Sequence, residues 1–158
     1  MILFIANVVL AVIMASMLAQ ATLQAILIAM VAAFFLTRPL RNSFGGDNYH
    51  QNVEKLLGLT GFFLWDLISS SLKVAFDVLT PELKAKPRFI VVPLDAKTDT
   101  EILLTANLIS LTPGSLSVDI SEDRSKLLVH AMFADGSADE VRQALKDGME
   151  RRVIEALR

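Results

Sequence analysis

Residues 98–120 read TDTEILLTANLISLTPGSLSVDI, and each part of this run specifies a different local structure. Thr98 and Glu101 stand three apart at the head of an apolar run. That is the spacing of a capping box, in which the hydroxyl and the carboxylate each satisfy a backbone N–H of the first helical turn. The spacing predicts a helix from there to about Leu111. Thr112-Pro113-Gly114-Ser115 follows. Proline presets φ at the second position of a turn and glycine permits positive φ at the third, the requirement of type II. Leu116, Val118 and Ile120 then alternate with Ser117 and Asp119, which predicts a half-buried strand with its apolar set on the covered face.

Working outward, Phe89-Ile90-Val91-Val92-Pro93-Leu94 reads as a strand, with Pro93 marking its end or an edge. Ser121–Ser125 turns the chain into Lys126–Met132, a further antiparallel strand. Ser137 and Glu140 repeat the capping spacing. After them Val141, Leu145, Met149, Val153 and Leu157 recur every fourth residue as the buried edge of a last helix, with Arg142, Lys146, Glu150 and Arg151 outward. The order over 88–158 is βαββα, a three-stranded sheet with helices on one face, like part of a ferredoxin-like fold. Pro81 and Pro87 bracket a linker, 81–87.

Upstream the chemistry changes. Nothing from Met1 through Thr37 carries a side-chain charge, so all 15 basic and 17 acidic residues lie from Arg38 onward. One helix over this stretch would be about 54 Å long against a hydrocarbon core of about 30 Å, so two helices of roughly 17 residues are expected. The turn is expected in the most polar stretch, Ser16–Gln24, and the apolar side chains of each helix favour insertion by roughly 3–6 kcal/mol. Because apolar sequence begins without a basic leading region and runs on without charge, a retained hairpin over 1–37 is expected rather than a cleaved signal peptide. A loop, 38–54, leads to a third apolar stretch, 55–80. Its apolar gain is offset by Asp66 and Lys73, at about +2.5 to +3.5 kcal/mol each near mid-bilayer. Asp66, Ser69, Ser70, Lys73, Asp77 and Thr80 share one helix face, and Trp65 beside them suits an interfacial position. Basic residues follow both the second stretch (Arg38, Arg41) and the third (Lys84, Lys86, Arg88). The expected fold class is therefore an α-helical membrane anchor followed by a small α/β cytoplasmic domain. The anchor is either two spans plus an amphipathic helix lying at the interface or three spans.

The composition excludes several functions. A net charge of −2 argues against general nucleic-acid affinity. Without cysteine there is no disulfide, thiolate zinc site or iron–sulfur cluster. With His50 and His130 the sole histidines, a histidine-built metal site is not expected, nor is any cofactor. Ser115 or Ser117 with Asp119 and His130 form a nominal nucleophilic set, but nothing resembles the glycine-flanked elbow that exposes a hydrolase serine. Gly45-Gly46-Asp47 lacks the Lys-Ser/Thr of a phosphate loop and follows no strand. The ionisable residues Asp66, Lys73 and Asp77 remain, as subunit contacts or part of an ion route.

Residues 105–119, from Thr105 through Asn107, Thr112, Pro113 and Gly114 to Asp119, closely resemble the E subunit of the multisubunit cation/proton antiporters of the Mrp (Mnh, Pha) family. Val91–Asp95, Ser121–Arg124, Val129-His130 and Phe63–Asp66 extend the resemblance over essentially the whole chain. Ser115 stands where the family usually has threonine, and Asp66 where glutamate is common. The resemblance implies a bacterial plasma-membrane complex of several subunits that exports Na+ in exchange for H+. Its large subunits look like the proton-pumping subunits of respiratory complex I, and the E subunit is a non-enzymatic accessory part. Asn107, Thr112, Pro113, Gly114 and Asp119 carry over as family signature and turn structure, without a catalytic role. Expected partners are the other subunits and the lipid bilayer, with no nucleic acid and no small-molecule substrate of its own. The first expectation is an assembly and stability subunit. An ion route through Asp66, Lys73 and Asp77, or a stand-alone tethered adaptor, are the alternatives.

Overall fold

The computed structural model describes residues 2–17, 22–39, 48–81, 84–134 and 137–158. The chain divides into two compact units, Met1–Glu54 and Lys55–Arg158. The elements are α1 (Ile2–Met17), α2 (Leu23–Thr37), α3 (Tyr49–Leu79), β1 (Arg88–Pro93), α4 (Asp99–Leu111), β2 (Ser115–Ile120), β3 (Lys126–Ala131), α5 (Ala138–Leu145), a π-helical segment (Lys146–Glu150) and α6 (Arg151–Leu157).

In the first unit α1 and α2 pack along Ala11, Ala15, Ala29 and Ala33, whose small side chains let two helix backbones approach closely. Thr22 begins α2 afresh: its backbone is extended and its Oγ1 accepts from Ala25 N at 3.2 Å. The apolar run is thereby cut into helices of 16 and 15 residues, about 24 and 22 Å long. The first residues of α3 complete the unit. Asn7 Nδ2 donates to the Tyr49 hydroxyl at 2.7 Å, and Arg38 pairs with Glu54 at 2.8 Å.

These lengths correct the expected membrane anchor. No helix among the described residues is long and apolar enough to cross a membrane, so neither the two-span nor the three-span form is supported. The two apolar helices fall short of a hydrocarbon core of about 30 Å. The 31-residue α3 is long enough but carries Glu54, Lys55, Asp66, Lys73 and Asp77. The expected turn at Ser16–Gln24 falls partly at Gln20, outside the described residues, as do Arg41 and Gly45-Gly46-Asp47.

In the second unit the sheet order is β1-β3-β2, antiparallel throughout. Pro93 sits at the end of edge strand β1, where its missing N–H breaks no ladder. One sheet face carries the core: Ile90, Val92, Leu127, Val129 and Ala131 pack with Ile109 of α4, Met149 of the π segment and Ala134. Phe62 and Phe63 of α3, with Val141 and Leu145 of α5, close over it.

The structure corrects two further expectations. Leu116 and Val118 face away from the core and are exposed, while Ser117, opposite buried Val129, is half-buried. Its hydroxyl donates to the Ala106 carbonyl at 2.9 Å, and its N–H to Ser110 Oγ at 3.0 Å. The polar side of this strand therefore faces α4, and a register shift between Ser117 and Asp119 interrupts the pairing beyond. Glu150, expected outward, is 2 % exposed. The π segment inserts an extra residue into the turn and rotates the following positions around the axis. Glu150 Oε1 thereby accepts from Asp95 N at 2.5 Å and Ala96 N at 2.9 Å, closing the loop after β1.

Candidate functional site

The turn Thr112–Ser115 packs beside α3, and between them lies a cleft of about 230 Å³. Thr112 ends α4. Its Oγ1 shares one hydrogen between the Leu108 carbonyl and Asp66 Oδ2, each at 3.1 Å. Gly114 adopts φ +89°, the left-handed region that glycine enters without a Cβ penalty. Ser115 N donates to the Thr112 carbonyl at 3.2 Å, and Met132 N donates to the Gly114 carbonyl at 2.7 Å, tying the turn to the residue after β3. Phe133 closes the same side: a Cβ on Gly114 would lie 3.2 Å from its ring.

Along α3 the cleft is lined by Phe62, Asp66, Ser70 and Lys73. Asp66 and Lys73 are seven residues apart on one face, a rise of about 10 Å, too far for a direct pair. Lys73 has no ion pair among the described residues. Phe62 is fixed from beneath by Arg152, whose guanidinium carbon stands 3.8 Å from the ring centroid. Arg152 in turn donates to the carbonyls of Asp147 and Gly148 at 3.1 and 2.8 Å.

The other candidate residues lie elsewhere. Asp77 is buried, and its Oδ1 accepts from Lys84 N at 2.6 Å and Ala85 N at 3.1 Å, holding the chain that leaves α3. Asn107 and Asp119 line a separate groove beside β2, where Asp119 Oδ1 accepts from Ile120 N at 2.8 Å. The nominal nucleophilic set is dispersed. Ser115 and Ser117 lie opposite Ala131 and Val129 on the core face and donate to backbone carbonyls. His130 lies opposite Leu116 on the outer face, its ring 5.0 Å from that of Phe89. Among the described residues no group of acidic or histidine side chains is placed to hold a metal ion.

Sequence reasoning missed the wall made by Phe133 and Gly148, and the Arg152 that stands against Phe62, none of which carries a local signal. It also missed the second partner of Glu101. Besides capping α4, Glu101 receives Arg158 Nε at 2.8 Å and Nη2 at 3.2 Å. The Arg158 guanidinium, with the N–H groups of Lys97 and Thr98, holds the Glu101 carboxyl down from 4.5 to about 2. A folded value below the unfolded one stabilises fully above the unfolded value and is lost as pH falls toward the folded one. Thermal melts of the purified chain are therefore expected to weaken between about pH 4.5 and 2. Glu101→Gln should flatten that dependence; parallel profiles for the two proteins would contradict the assignment.

Known proteins share this architecture and much of its sequence. The family model described as Na+/H+ ion antiporter subunit matches residues 4–156. The Na+/H+ antiporter E subunit of Alkalihalophilus pseudofirmus is 34 % identical over 149 residues, covering 94 % of each chain. The antiporter's E1 subunit in Staphylococcus haemolyticus is 37 % identical over 110 residues, 70 % of this chain and 69 % of that one. Among solved structures, a chain of the Mrp complex from Dietzia sp. DQ12-45-1b aligns with a TM-score of 0.51 at 25 % identity, over 65 % of this chain and 96 % of that chain. A chain of the membrane-bound sulfane sulfur reductase, an archaeal respiratory membrane complex, has a TM-score of 0.58 over 96 % of both chains; at 23 % identity the likeness is one of fold alone. A family match over nearly the whole length, together with a relative above 30 % identity across it, makes this chain a member of the Na+/H+ ion antiporter subunit family, in its E-subunit branch.

Proposed function

We propose that the chain is an assembly and stability subunit of a multisubunit antiporter that exchanges Na+ for H+ at the bacterial plasma membrane, acting through the complex's other subunits. Its family is one of transporter components rather than enzymes. The observation that carries the reading is the inverted amphipathicity of α3. Leu57, Leu64, Trp65, Ile68, Leu72 and Phe76 fall within about 120° of one another at 100° per residue, and all are exposed, Trp65 by 71 %. The opposite face, with Asp66, Ser70 and Lys73, turns toward the α/β unit. A helix that turns its polar stripe toward its own fold and leaves its apolar one exposed is built to be covered. Phe89, Leu116 and Val118 expose a further apolar surface on the outer sheet face. The charged α/β unit, with Lys84, Lys86 and Arg88 at its entry, is assigned to the cytoplasmic side in keeping with the preference of basic residues for it.

The cleft supports a contact role for Asp66 and Lys73. A second reading makes them part of an ion route, favoured by their sharing one cleft without pairing to each other. The double variant Asp66→Ala, Lys73→Ala separates the two when complex recovery and Na+/H+ exchange are measured on the same membranes. The assembly reading predicts that exchange falls only in step with recovered complex. Lost exchange in a fully assembled complex would favour the ion route instead.

A further inference from the structure

Past the cleft at Thr112, the C-terminal end of α3 borders a second cavity of about 470 Å³, lined by Lys73, Phe76, Asp77, Thr80, Lys84 and Phe133. That is room for a small polar group. The charges around it do not settle one another. The ammonium groups of Lys73 and Lys84 make no ion pair among the described residues. Asp77 is 3 % exposed, and its Oδ1 is taken up by the N–H groups of Lys84 and Ala85. Its Oδ2 is buried in the wall and receives no hydrogen from any described residue. The cavity thus has two cations against one anion, and an acceptor that lacks a donor. Its place on α3 matters as well. At 100° per residue Phe76 and Lys73 lie about 60° apart, with Asp77 about 40° further round. The cavity therefore straddles the border between the apolar stripe and the polar face. On the apolar side Phe76 and Leu79 are 66 and 80 % exposed.

We propose that this cavity holds the head group of an anionic phospholipid of the phosphatidylglycerol class. A charged pocket beside an exposed apolar strip suits an amphiphile, and each part of that molecule meets a stated need. The phosphate diester carries one negative charge, which evens the count, and it lies between the Lys73 and Lys84 ammonium groups. A glycerol hydroxyl supplies the hydrogen that Asp77 Oδ2 lacks. The acyl chains leave over Phe76 and Leu79, removing these side chains from water. A choline head group would bring neither the net charge nor the donor. The binding is non-covalent throughout. It goes beyond the assembly role proposed above and belongs to the chain alone, since every residue invoked lies between Lys73 and Phe133 of one compact unit.

Native mass spectrometry of the purified full-length chain in a neutral detergent tests this, with short-chain phosphatidylglycerol, phosphatidylmethanol and phosphatidylcholine added at equal concentration. Phosphatidylglycerol should be retained best. Phosphatidylmethanol keeps the phosphate charge but has no hydroxyl, so it should bind roughly tenfold more weakly. Phosphatidylcholine should be retained least. Equal retention of the three would overturn the assigned head group. Lys73 and Lys84 are exposed, so Lys73→Gln and Lys84→Gln leave the fold intact. Each should weaken phosphatidylglycerol about fivefold and leave phosphatidylcholine unchanged. A double variant that still prefers phosphatidylglycerol to the same degree would overturn the site. Binding of sn-glycerol 3-phosphate as tightly as the lipid would overturn the lipid assignment in favour of a free phosphate ester. None of these measurements involves another subunit, so their failure would leave the assembly reading standing, and loss of co-purification would leave the lipid site standing.

Discussion

Gly114→Val is expected to destabilise the full-length chain by roughly 3 kcal/mol, lowering the midpoint of a thermal melt by about 6–12 °C. Two separable causes add. The backbone at Gly114 has φ +89°, which a β-branched residue enters only with strain. The new Cβ would also stand 3.2 Å from Phe133 Cδ2 and 3.3 Å from Cε2. Phe133→Leu in the same chain should relieve the second cause and leave the first, recovering part of the loss. Because the Gly114 carbonyl accepts from Met132 N, a displaced turn also loosens the wall beside Asp66 and Lys73, so recovery of complex should fall with stability. A Gly114→Val chain as stable as the parent would mean that the turn does not hold the conformation described.

Leu127→Ala should cost a similar amount, roughly 3 kcal/mol. Leu127 is 1 % exposed on β3, the middle strand, where it lies opposite Val92 of β1 and Ile120 of β2. Truncation removes its buried methyl groups and leaves a hole that neighbours from three directions cannot close without breaking sheet register. The informative comparison is Leu116→Ala on the outer face. Leu116 is 52 % exposed, so its truncation should change the isolated chain's stability by less than about 0.5 kcal/mol. If the outer face is a contact surface, the same change should still reduce recovery of the complex. Chemical denaturation of both variants, beside their co-purification, distinguishes the covered face of the sheet from the presented one.

Local backbone chemistry is legible in the residues themselves. Thr98 and Glu101 form the reciprocal capping box their spacing predicts, Ser137 accepts from Glu140 N at 3.2 Å, and Gly114 takes the positive φ expected of it. Each depends on residues within a few positions of one another. The features that the sequence misleads on depend on partners far along the chain. The period of two in β2 identifies its two faces but not which one is covered; that is decided by the hydroxyl of Ser117 finding the Ala106 carbonyl and its N–H finding Ser110 Oγ. Glu150 reads as a solvent residue until the π segment turns it under the loop at Asp95 and Ala96. The apolar stretch before Arg38 reads as membrane spans by hydropathy, but the fresh start of α2 at Thr22 leaves two helices too short for that. At the cleft, Asp66 and Lys73 stand out as unusual charges in an apolar stretch. The meeting of Asp66 with Thr112 does not, since 46 residues separate the two. Phe133 and Arg152 are hidden by still longer separations from α3.

The inverted face of α3 makes one demand above the others: something must cover it. Affinity purification of the tagged full-length chain from mild-detergent extracts, with every co-eluting polypeptide identified by mass spectrometry, tests this most directly. The account predicts that the remaining antiporter subunits co-elute in fixed proportion, and that Trp65→Glu on the exposed stripe releases them while the chain stays folded. Recovery of the unaltered chain as a stable monomer free of those subunits would contradict it.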